Sequence, residues 1–572
     1  MLYTNLKKYS FQDLLFRITN DVILFIFLSF FCIGCNNKKT AEVNNLFTLV
    51  PSAETSLNFA NNLTYTEEFN PYTFRNFFNG GGVAIGDINN DNLPDIFFCS
   101  NQQSNKLYLN KGNFQFEDIT QKAGVSSDGV WSTGVTMADV NGDGWVDIYV
   151  CKSGDLKGKN RSNELFINNG FSPSPSGVPI GTGRGEVAFT EKAKEYGLDN
   201  RGLSTHAVFF DYDNDGDLDC YLLNNSFRSV GNYDLMKDQR NIADTLGGNK
   251  LYRNDGNNFS DVTQRAGIYS SKIGFGLGVT ISDVNKDGWQ DIYVSNDFFE
   301  KDYLYINHQD GTFRESLEKC IREISMNSMG ADIADINNDG FSDIYVTDMF
   351  PEEESRIKTK TNFENWDKYK ANTRSGYYKQ FVRNSLQLNL GFVEKNKSSA
   401  DEVYFSEISR YANVSATDWS WGALIADLNN DGLKDVFVAN GIYKDITDQD
   451  YIQYAANESD NIRKQINNKE KNIIKNLVDL IPSHAIPNYA FSNNGDLTFS
   501  NKAKEWGLDE PGFSNGSAYG DLDNDGDLDL VINNVNMPCF IYRNESVQQH
   551  PENKFLKVSL QGEGKNTFGI GA

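Results

Sequence analysis

The chain has 572 residues, with 78 Asp and Glu against 53 Lys and Arg, and a formal net charge of −25. That balance excludes nucleic acid as a partner, because phosphate binding needs a basic surface. The five cysteines after Cys35 (Cys99, Cys151, Cys220, Cys320 and Cys539) are odd in number and form no CxxC pair, which excludes a disulfide framework and a zinc site.

At the N-terminus, Lys7, Lys8 and Arg17 precede an apolar run from Val22 to Gly34. The run is too short for a transmembrane helix and fits a secretory signal. Cys32-Ile33-Gly34-Cys35 resembles a bacterial lipobox, with the small Gly34 before the cysteine to be lipidated. Residues 1–35 are therefore expected to be a lipoprotein signal peptide with lipidation at Cys35, followed by a polar tether over 36–46. Asn36, rather than Asp, follows the cysteine, so the inner-membrane retention signal of such lipoproteins is missing. The expected destination is the outer membrane or cell surface, with the membrane reached through the lipid anchor only.

From there an acidic loop recurs seven times. Its expected ligand positions 1, 3, 5, 7 and 9 are Asp87, Asn89, Asp91, Leu93 and Asp95 in loop 1, and Asp139, Asn141, Asp143, Trp145 and Asp147 in loop 2. Loop 3 has Asp211, Asp213, Asp215, Asp217 and Asp219; loop 4 has Asp283, Asn285, Asp287, Trp289 and Asp291. Loop 5 has Asp335, Asn337, Asp339, Phe341 and Asp343; loop 6 has Asp427, Asn429, Asp431, Leu433 and Asp435; loop 7 has Asp521, Asp523, Asp525, Asp527 and Asp529. Side-chain oxygens at 1, 3, 5 and 9 with the backbone carbonyl at 7 can wrap a hard cation, and Ca²⁺ suits such a flexible oxygen cage better than Mg²⁺. Glycine at position 6 permits the sharp turn, and Asn92, which replaces it in loop 1, tolerates the left-handed backbone. Up to seven Ca²⁺ are expected, with loop 1 weakest and loops 3 and 7, which carry an extra carboxylate at position 3, tightest. An EF-hand would need Glu at position 12, where Phe98, Val150, Leu222, Val294, Val346, Val438 and Ile532 stand instead.

Each loop joins two short apolar, β-branched or aromatic runs that read as strands A and B, as in Val135-Thr-Met and Ile148-Tyr-Val. A third run follows as Asn-x-Leu-x-x-Asn, ending for instance at Asn110, Asn168 and Asn254, and a fourth resembles Phe116-Glu-Asp118-Ile-Thr120. Four antiparallel strands repeated seven times predict an all-β, seven-bladed propeller over 47–550. Blade 7 lacks a clean fourth run, and Phe47-Thr-Leu-Val50 is expected to supply it from the other end of the chain. The repeats resemble the FG-GAP/VCBS repeats of integrin α-type propellers, which implies a binding or adhesion scaffold. Residues 553–572, with Leu556, Val558, Leu560 and Gly569-Ile-Gly571, resemble the β-rich opening of an ASPIC/UnbV domain.

The connections between strands B and C are long in blades 3, 5 and 6. They emerge on the face opposite the loops, because strands alternate direction. The blade 5 insertion, 352–383, mixes Lys358, Lys360, Trp366, Lys368, Tyr369, Tyr377, Tyr378 and Arg383. The blade 6 insertion is expected to hold a helix from Asp448 to Ile481, with Ile462, Ile466, Ile473, Leu477 and Ile481 on one face and Pro482 at its end. Five residues before the first Asp of each loop stands a glycine, except in blade 3, where His206 stands. Ligand contacts are accordingly expected from His206, Trp421 and the inserts at 352–383 and 445–487, with Trp131, Phe275, Trp419 and Phe513 packing between blades. The functional expectation is a calcium-stabilised scaffold recognising a protein or glycan, with a polysaccharide-acting, lyase-like enzyme on the same face, or a structural part of a larger envelope complex, as alternatives. No catalytic constellation is identified.

Overall fold

The computed structural model describes residues 45–127, 131–154, 160–172, 186–227, 239–361, 366–392, 403–562 and 564–571. Cys35 and the signal, together with most of the tether, lie outside them.

Seven antiparallel sheets follow one another along the chain, and their first strands neighbour each other in a closed ring. Blade 1 pairs Val83–Gly86, Asp95–Phe98, Lys106–Asn110 and Phe116–Asp118 in that order. Blades 2 to 6 repeat the pattern, with strand A at Trp131–Ala138, Ser204–Phe210, Gly276–Ser282, Ala331–Ala334 and Asp418–Ala426. In blade 6 a fifth strand, Met349–Phe350 from the connection that follows strand B of blade 5, adds to strand A. Blade 7 holds Ser514–Gly520, Asp529–Asn534 and Phe540–Asn544, and its fourth strand is Phe47–Leu49, in register Phe47↔Asn544 and Leu49↔Tyr542. Chain-end closure of this kind covers the edge of Phe540–Asn544 and gives the last blade four strands like its neighbours.

The apolar runs are continuous because both faces of each blade are covered. In strand B of blade 4, Ile292 and Val294 enter the core shared with blade 3, while Tyr293 between them enters the core shared with blade 5. Seven such inter-blade cores circle the ring, each fully buried side chain contributing about 1.5–3 kcal/mol. Cys99 and Cys151 are free thiols buried in these layers, as the strand reading implies.

An eighth cluster sits on the face opposite the acidic loops. Residues 63–78 and the blade 6 insertion fold over the central opening and bury Phe74, Phe77, Trp131, Trp419, Trp421 and Val478 together. Trp131 packs edge-on to Phe69 and Phe74, and Phe513 edge-on to Tyr443. These tryptophans and Phe513 therefore pack beneath a cap, not between blades as expected. Phe275 is also buried, edge-on to Phe298.

Two further expectations are corrected. The helix from Asp448 to Ile481 is three helices, and the blade 5 insertion supplies two more. We number them in chain order: α1 (Glu354–Lys360), α2 (Trp366–Arg374), α3 (Gln449–Asn457), α4 (Ser459–Asn467) and α5 (Ile473–Leu480). Lys469 and Asn472 adopt left-handed φ of 56° and 62°, which ends α4 and restarts the chain in a new direction. The single apolar face is lost as a result: Ile466 is exposed while Val478 is buried. The tail expected to be β-rich has no strand among described residues 551–571, and Leu556 and Val558 remain exposed, buried by no partner strand or core.

Candidate metal loops and central chamber

The acidic loops are shaped by left-handed residues at two positions. Position 6 has positive φ throughout, from 66° at Asn92 to 98° at Gly526, and position 4 also does, as at Asn214 and Asn430. The sequence reading identified the first and missed the second, although Asn at position 4 in five loops was the available signal. The double turn aims backbone N–H groups at the carboxylates. The amide of position 7 donates to the position 5 carboxylate in every loop, at 2.8–3.2 Å. The amide of position 6 donates to the first Asp in loops 1 to 6, at 2.7–3.0 Å.

Loops 3 and 7 differ from the rest. Where Asn stands at position 3, its amide donates to the position 5 carboxylate, as from Asn141 to Asp143 at 2.9 Å and from Asn337 to Asp339 at 3.0 Å. An Asp at position 3 cannot donate. Asp211, Asp213 and Asp215 bring one ligand oxygen each within 4.8 Å of one another, and so do Asp521, Asp523 and Asp525. Asp213 Oδ1, Asp523 Oδ1 and Asp527 Oδ1 are buried without a hydrogen-bond partner. Burial, then repulsion by neighbouring carboxylates, pushes Asp213 and Asp523 up to about 6. Orphaned, mutually repelling oxygens at the centre of an oxygen cage fit a divalent cation. Such a cation would supply the charge that position 3 Asn partly replaces elsewhere.

Position 9 has a second role that spacing alone did not disclose. Each of these aspartates accepts two backbone N–H bonds, one per oxygen. In blade 4, Asp291 Oδ2 accepts from Val284 at 3.1 Å and Oδ1 from Asn307 at 2.8 Å. The same pair of bonds recurs at Asp95, Asp147, Asp219, Asp343, Asp435 and Asp529. Burial raises the carboxyl of each above its ordinary range despite these donors, to about 8 at Asp147 and about 9 at Asp219.

The partner in that bond, the Asn that closes each third run (Asn110, Asn168, Asn254, Asn307, Asn389, Asn493 and Asn544), ties the ring together. Its Nδ2 donates to the carbonyl of loop position 2 in the preceding blade. Asn168 reaches Ile88, Asn307 reaches Tyr212 and Asn493 reaches Ile336, each at 2.8 Å. Asn110 reaches Leu522 at 2.8 Å and thereby closes blade 1 onto blade 7. Asn254, Asn389 and Asn544 make the equivalent bonds. The terminal Asn of Asn-x-Leu-x-x-Asn is thus an inter-blade bracket rather than a strand boundary.

At the axis the starts of the A strands converge. A Cβ on Gly134 would lie 2.5 Å from Thr205 O, and one on Gly330 would lie 2.3 Å from Trp421 O, so only glycine lets adjacent backbones approach this closely. These strands enclose a chamber of about 250 Å³, which both His206 and Trp421 line, with Asn76 and Asn79 of the cap segment also among its walls. His206 fits because Gly134 has no side chain; a Cβ there would stand 2.7 Å from Nδ1. Burial lowers the imidazole to about 4, so it is neutral near pH 7. Trp421 is only 8% exposed and donates Nε1–H to Gly441 O at 2.7 Å, which makes it a wall of the chamber.

The charged residues of the inserts are mostly committed. Arg356 of α1 forks onto Asp418 and reaches Asp445 at 3.3 Å, while Lys360 contacts Asp448 at 2.5 Å and Asp445 at 3.1 Å. Arg383 bridges Glu323 and Glu407. The Arg356 and Lys360 pairs lock the blade 5 insertion onto blade 6, while Arg383 ties its end to blade 5 itself. By contrast, Trp366 is 64% exposed and stacks on Tyr369 at 5.2 Å, which stacks on Phe381 at 5.7 Å.

Comparison with known proteins agrees with the repeat reading. A family model described as FG-GAP-like repeat matches residues 87–150 and 283–346, each running from a first loop Asp to strand B of the next blade. Cartilage acidic protein 1 of Xenopus tropicalis is 28% identical over 221 residues, covering 38% of this chain and 29% of that protein. Integrin alpha-8 of Gallus gallus is 28% identical over 159 residues, covering 25% and 15% respectively. The matched region is thus under a third of either relative's own length. The V. cholerae biofilm matrix protein Bap1 aligns over 89% of this chain and 95% of its own at 9% identity, with a TM-score of 0.37, too low to argue from. The chain is a seven-bladed propeller in which two segments match the FG-GAP-like repeat, and parts of it are similar to integrin alpha and cartilage acidic proteins.

Proposed function

We propose that this protein is a calcium-stabilised adhesion or binding scaffold of the cell envelope, which recognises a protein or glycan through the face opposite the acidic loops. The observation that carries the reading is the stacked series Trp366–Tyr369–Phe381, open to solvent at Trp366 and set on that face by an insertion that Arg356 and Lys360 anchor through ion pairs. Rigid, solvent-facing aromatic rings are the usual anchors of recognition surfaces. His206 and Trp421 belong to the same face, His206 as a neutral donor or acceptor inside the chamber and Trp421 as its wall. Ca²⁺ in the seven loops would hold the blades in the geometry that presents this face, with loops 3 and 7 binding most tightly because their surplus oxygens lack donors.

The rest of the reading follows from the sequence. Residues 1–35 direct export, Cys35 carries the lipid that anchors the protein at the outer membrane or cell surface, 36–46 is a tether, 47–550 is the propeller, and 553–572 opens an ASPIC/UnbV-like segment.

A glycan array and a pull-down from envelope extract, run with protein lacking residues 1–35 in Ca²⁺ and in EGTA, test the proposal. Binding in Ca²⁺ that Trp366→Ala and His206→Ala weaken at least tenfold, with melting unchanged, is the expected result. If both variants bind normally and substitutions in the acidic loops abolish binding without unfolding the blades, the working face is wrongly assigned.

A further inference from the structure

The acidic loops touch one another around the ring, and two of the seven joints are built differently. Lys286 stands at position 4 of loop 4 and lays its Nζ over the Phe341 ring of loop 5 at 4.5 Å, and loop 2 has no side chain there at all. At five joints the position 4 Asn donates Nδ2 to the position 6 carbonyl of the next loop. Asn90 reaches Gly144 at 2.9 Å, Asn338 reaches Gly432 at 3.1 Å and Asn524 reaches Asn92 at 2.7 Å. The joints after Asn430 and Asn214 are the same, at 3.3 and 3.5 Å. Loop 2 has Gly142 at position 4 and supplies no such donor. Its place at loop 3 is taken from elsewhere in the chain: the backbone N–H of Asn566 donates to Gly216 O, the position 6 carbonyl, at 2.9 Å.

The surrounding contacts are specific to this notch. A Cβ on Gly142 would lie 2.5 Å from Lys565 Cβ and 2.7 Å from its Cα, so the missing side chain makes the room. Lys565 Nζ sits 2.8 Å from Asp217 Oδ2, a carboxylate that position 7 does not need, since that position offers its backbone carbonyl. Thr567 Oγ1 donates to Asp139 Oδ2 at 2.6 Å, and Ile570 packs against the core between blades 2 and 3.

We infer that the Gly142 notch is a docking site whose occupant is this chain's own segment Lys565–Ile570, which supplies the donor to loop 3 that loop 2 cannot. Docking and cation binding then act on shared groups. Asp139 is the first-position residue of loop 2, and Gly216 and Asp217 belong to loop 3. A cation that fixes these loops presents the carbonyl and carboxylates to the segment in one arrangement, and linkage makes the docked segment favour the cation in return. This coupling rests on the calcium reading; the docking does not. The calcium face is accordingly an internal interface.

Hydrogen–deuterium exchange of the full chain tests both parts. In Ca²⁺, residues 564–571 should exchange at least tenfold more slowly than an unstructured peptide, and Gly142→Asn should remove that protection while the blade strands keep theirs. If Gly142→Asn disturbs blades 2 and 3, the doubly substituted Lys565→Ala, Thr567→Val chain, altered only in the segment, should show the same loss. Exchange of 564–571 at the unstructured rate in the unaltered chain, or full protection in the variants, overturns the docking. Protection that falls on dilution assigns the occupant to a second copy and overturns the in-chain assignment. Protection that EGTA leaves unchanged, while the variants abolish it, overturns the coupling alone.

Discussion

The inter-blade bracket makes a quantitative prediction at Asn307. This side chain is 1% exposed; Nδ2 donates to Tyr212 O at 2.8 Å and Gln290 O at 3.2 Å, and Oδ1 accepts from Gln309 N–H at 2.9 Å. Asn307→Ala deletes three hydrogen bonds and keeps the backbone bond to Asp291. At roughly 1 kcal/mol net for each bond, with some further cost for buried groups left unpaired, the loss is about 3–4 kcal/mol. Unfolding entropy near 2.1 cal/mol/K per residue gives about 1 kcal/mol/K for a ring of this size, so the melting temperature should fall by about 3–4 °C. Calorimetry in saturating Ca²⁺ reads this directly, with Asn494→Ala, at an exposed hairpin position, shifting by less than about 1 °C on the same scale. Asn307→Asp should be worse than alanine, because a carboxylate would face two carbonyls. Equal melting of Asn307→Ala and Asn494→Ala would refute the bracket as an energetic tie and leave it a mere contact.

Three other expectations stand beside it, two from the geometry and one, at Cys35, from the sequence. EGTA should lower the melting temperature by many degrees, since each site filled at about 100 times its Kd contributes ~2.7 kcal/mol; Asp215→Ala or Asp525→Ala should cost more than Asp91→Ala, and an unchanged melt in chelator would sink the calcium reading. Asp302 is buried against Tyr293 OH and Ser328 Oγ, with Asp348 as a like-charged neighbour, and burial raises it to about 7. A carboxyl raised in the folded state stabilises most when protonated, so its contribution is lost as pH climbs from about 4 to about 7; the urea midpoint of the unaltered chain should fall relative to Asp302→Asn across that window, and a constant difference between pH 5 and pH 8 would rule this out. Cys35→Ser should abolish labelling by a palmitate analogue and release the protein from membranes, whereas persistent labelling would show that Cys35 is not the modified residue.

The sequence by itself determined the repeat. The spacing of Asp, Asn and Gly in the loops, the apolar runs on either side and the displaced strand at Phe47–Leu49 were enough for seven blades and ring closure, because turn chemistry and strand alternation are written within a few residues of one another. The acidic loops were legible for the same reason, down to the tolerance of Asn92 for a left-handed backbone. What only the tertiary structure decided lies between blades. Asn307 looks like an ordinary strand-end residue until the ring brings the Tyr212 carbonyl of the preceding blade to within 2.8 Å of its Nδ2. Trp131 and Trp419 carried an aromatic signal without an address, and only the folding of residues 63–78 and the blade 6 helices over the axis made them the underside of a cap. Gly142 carried no signal of its own in the loop pattern, although its missing side chain is the notch that Lys565 fills from over four hundred residues away. Such pairings depend on the curvature that seven blades impose on one another, and no local window of sequence contains that curvature.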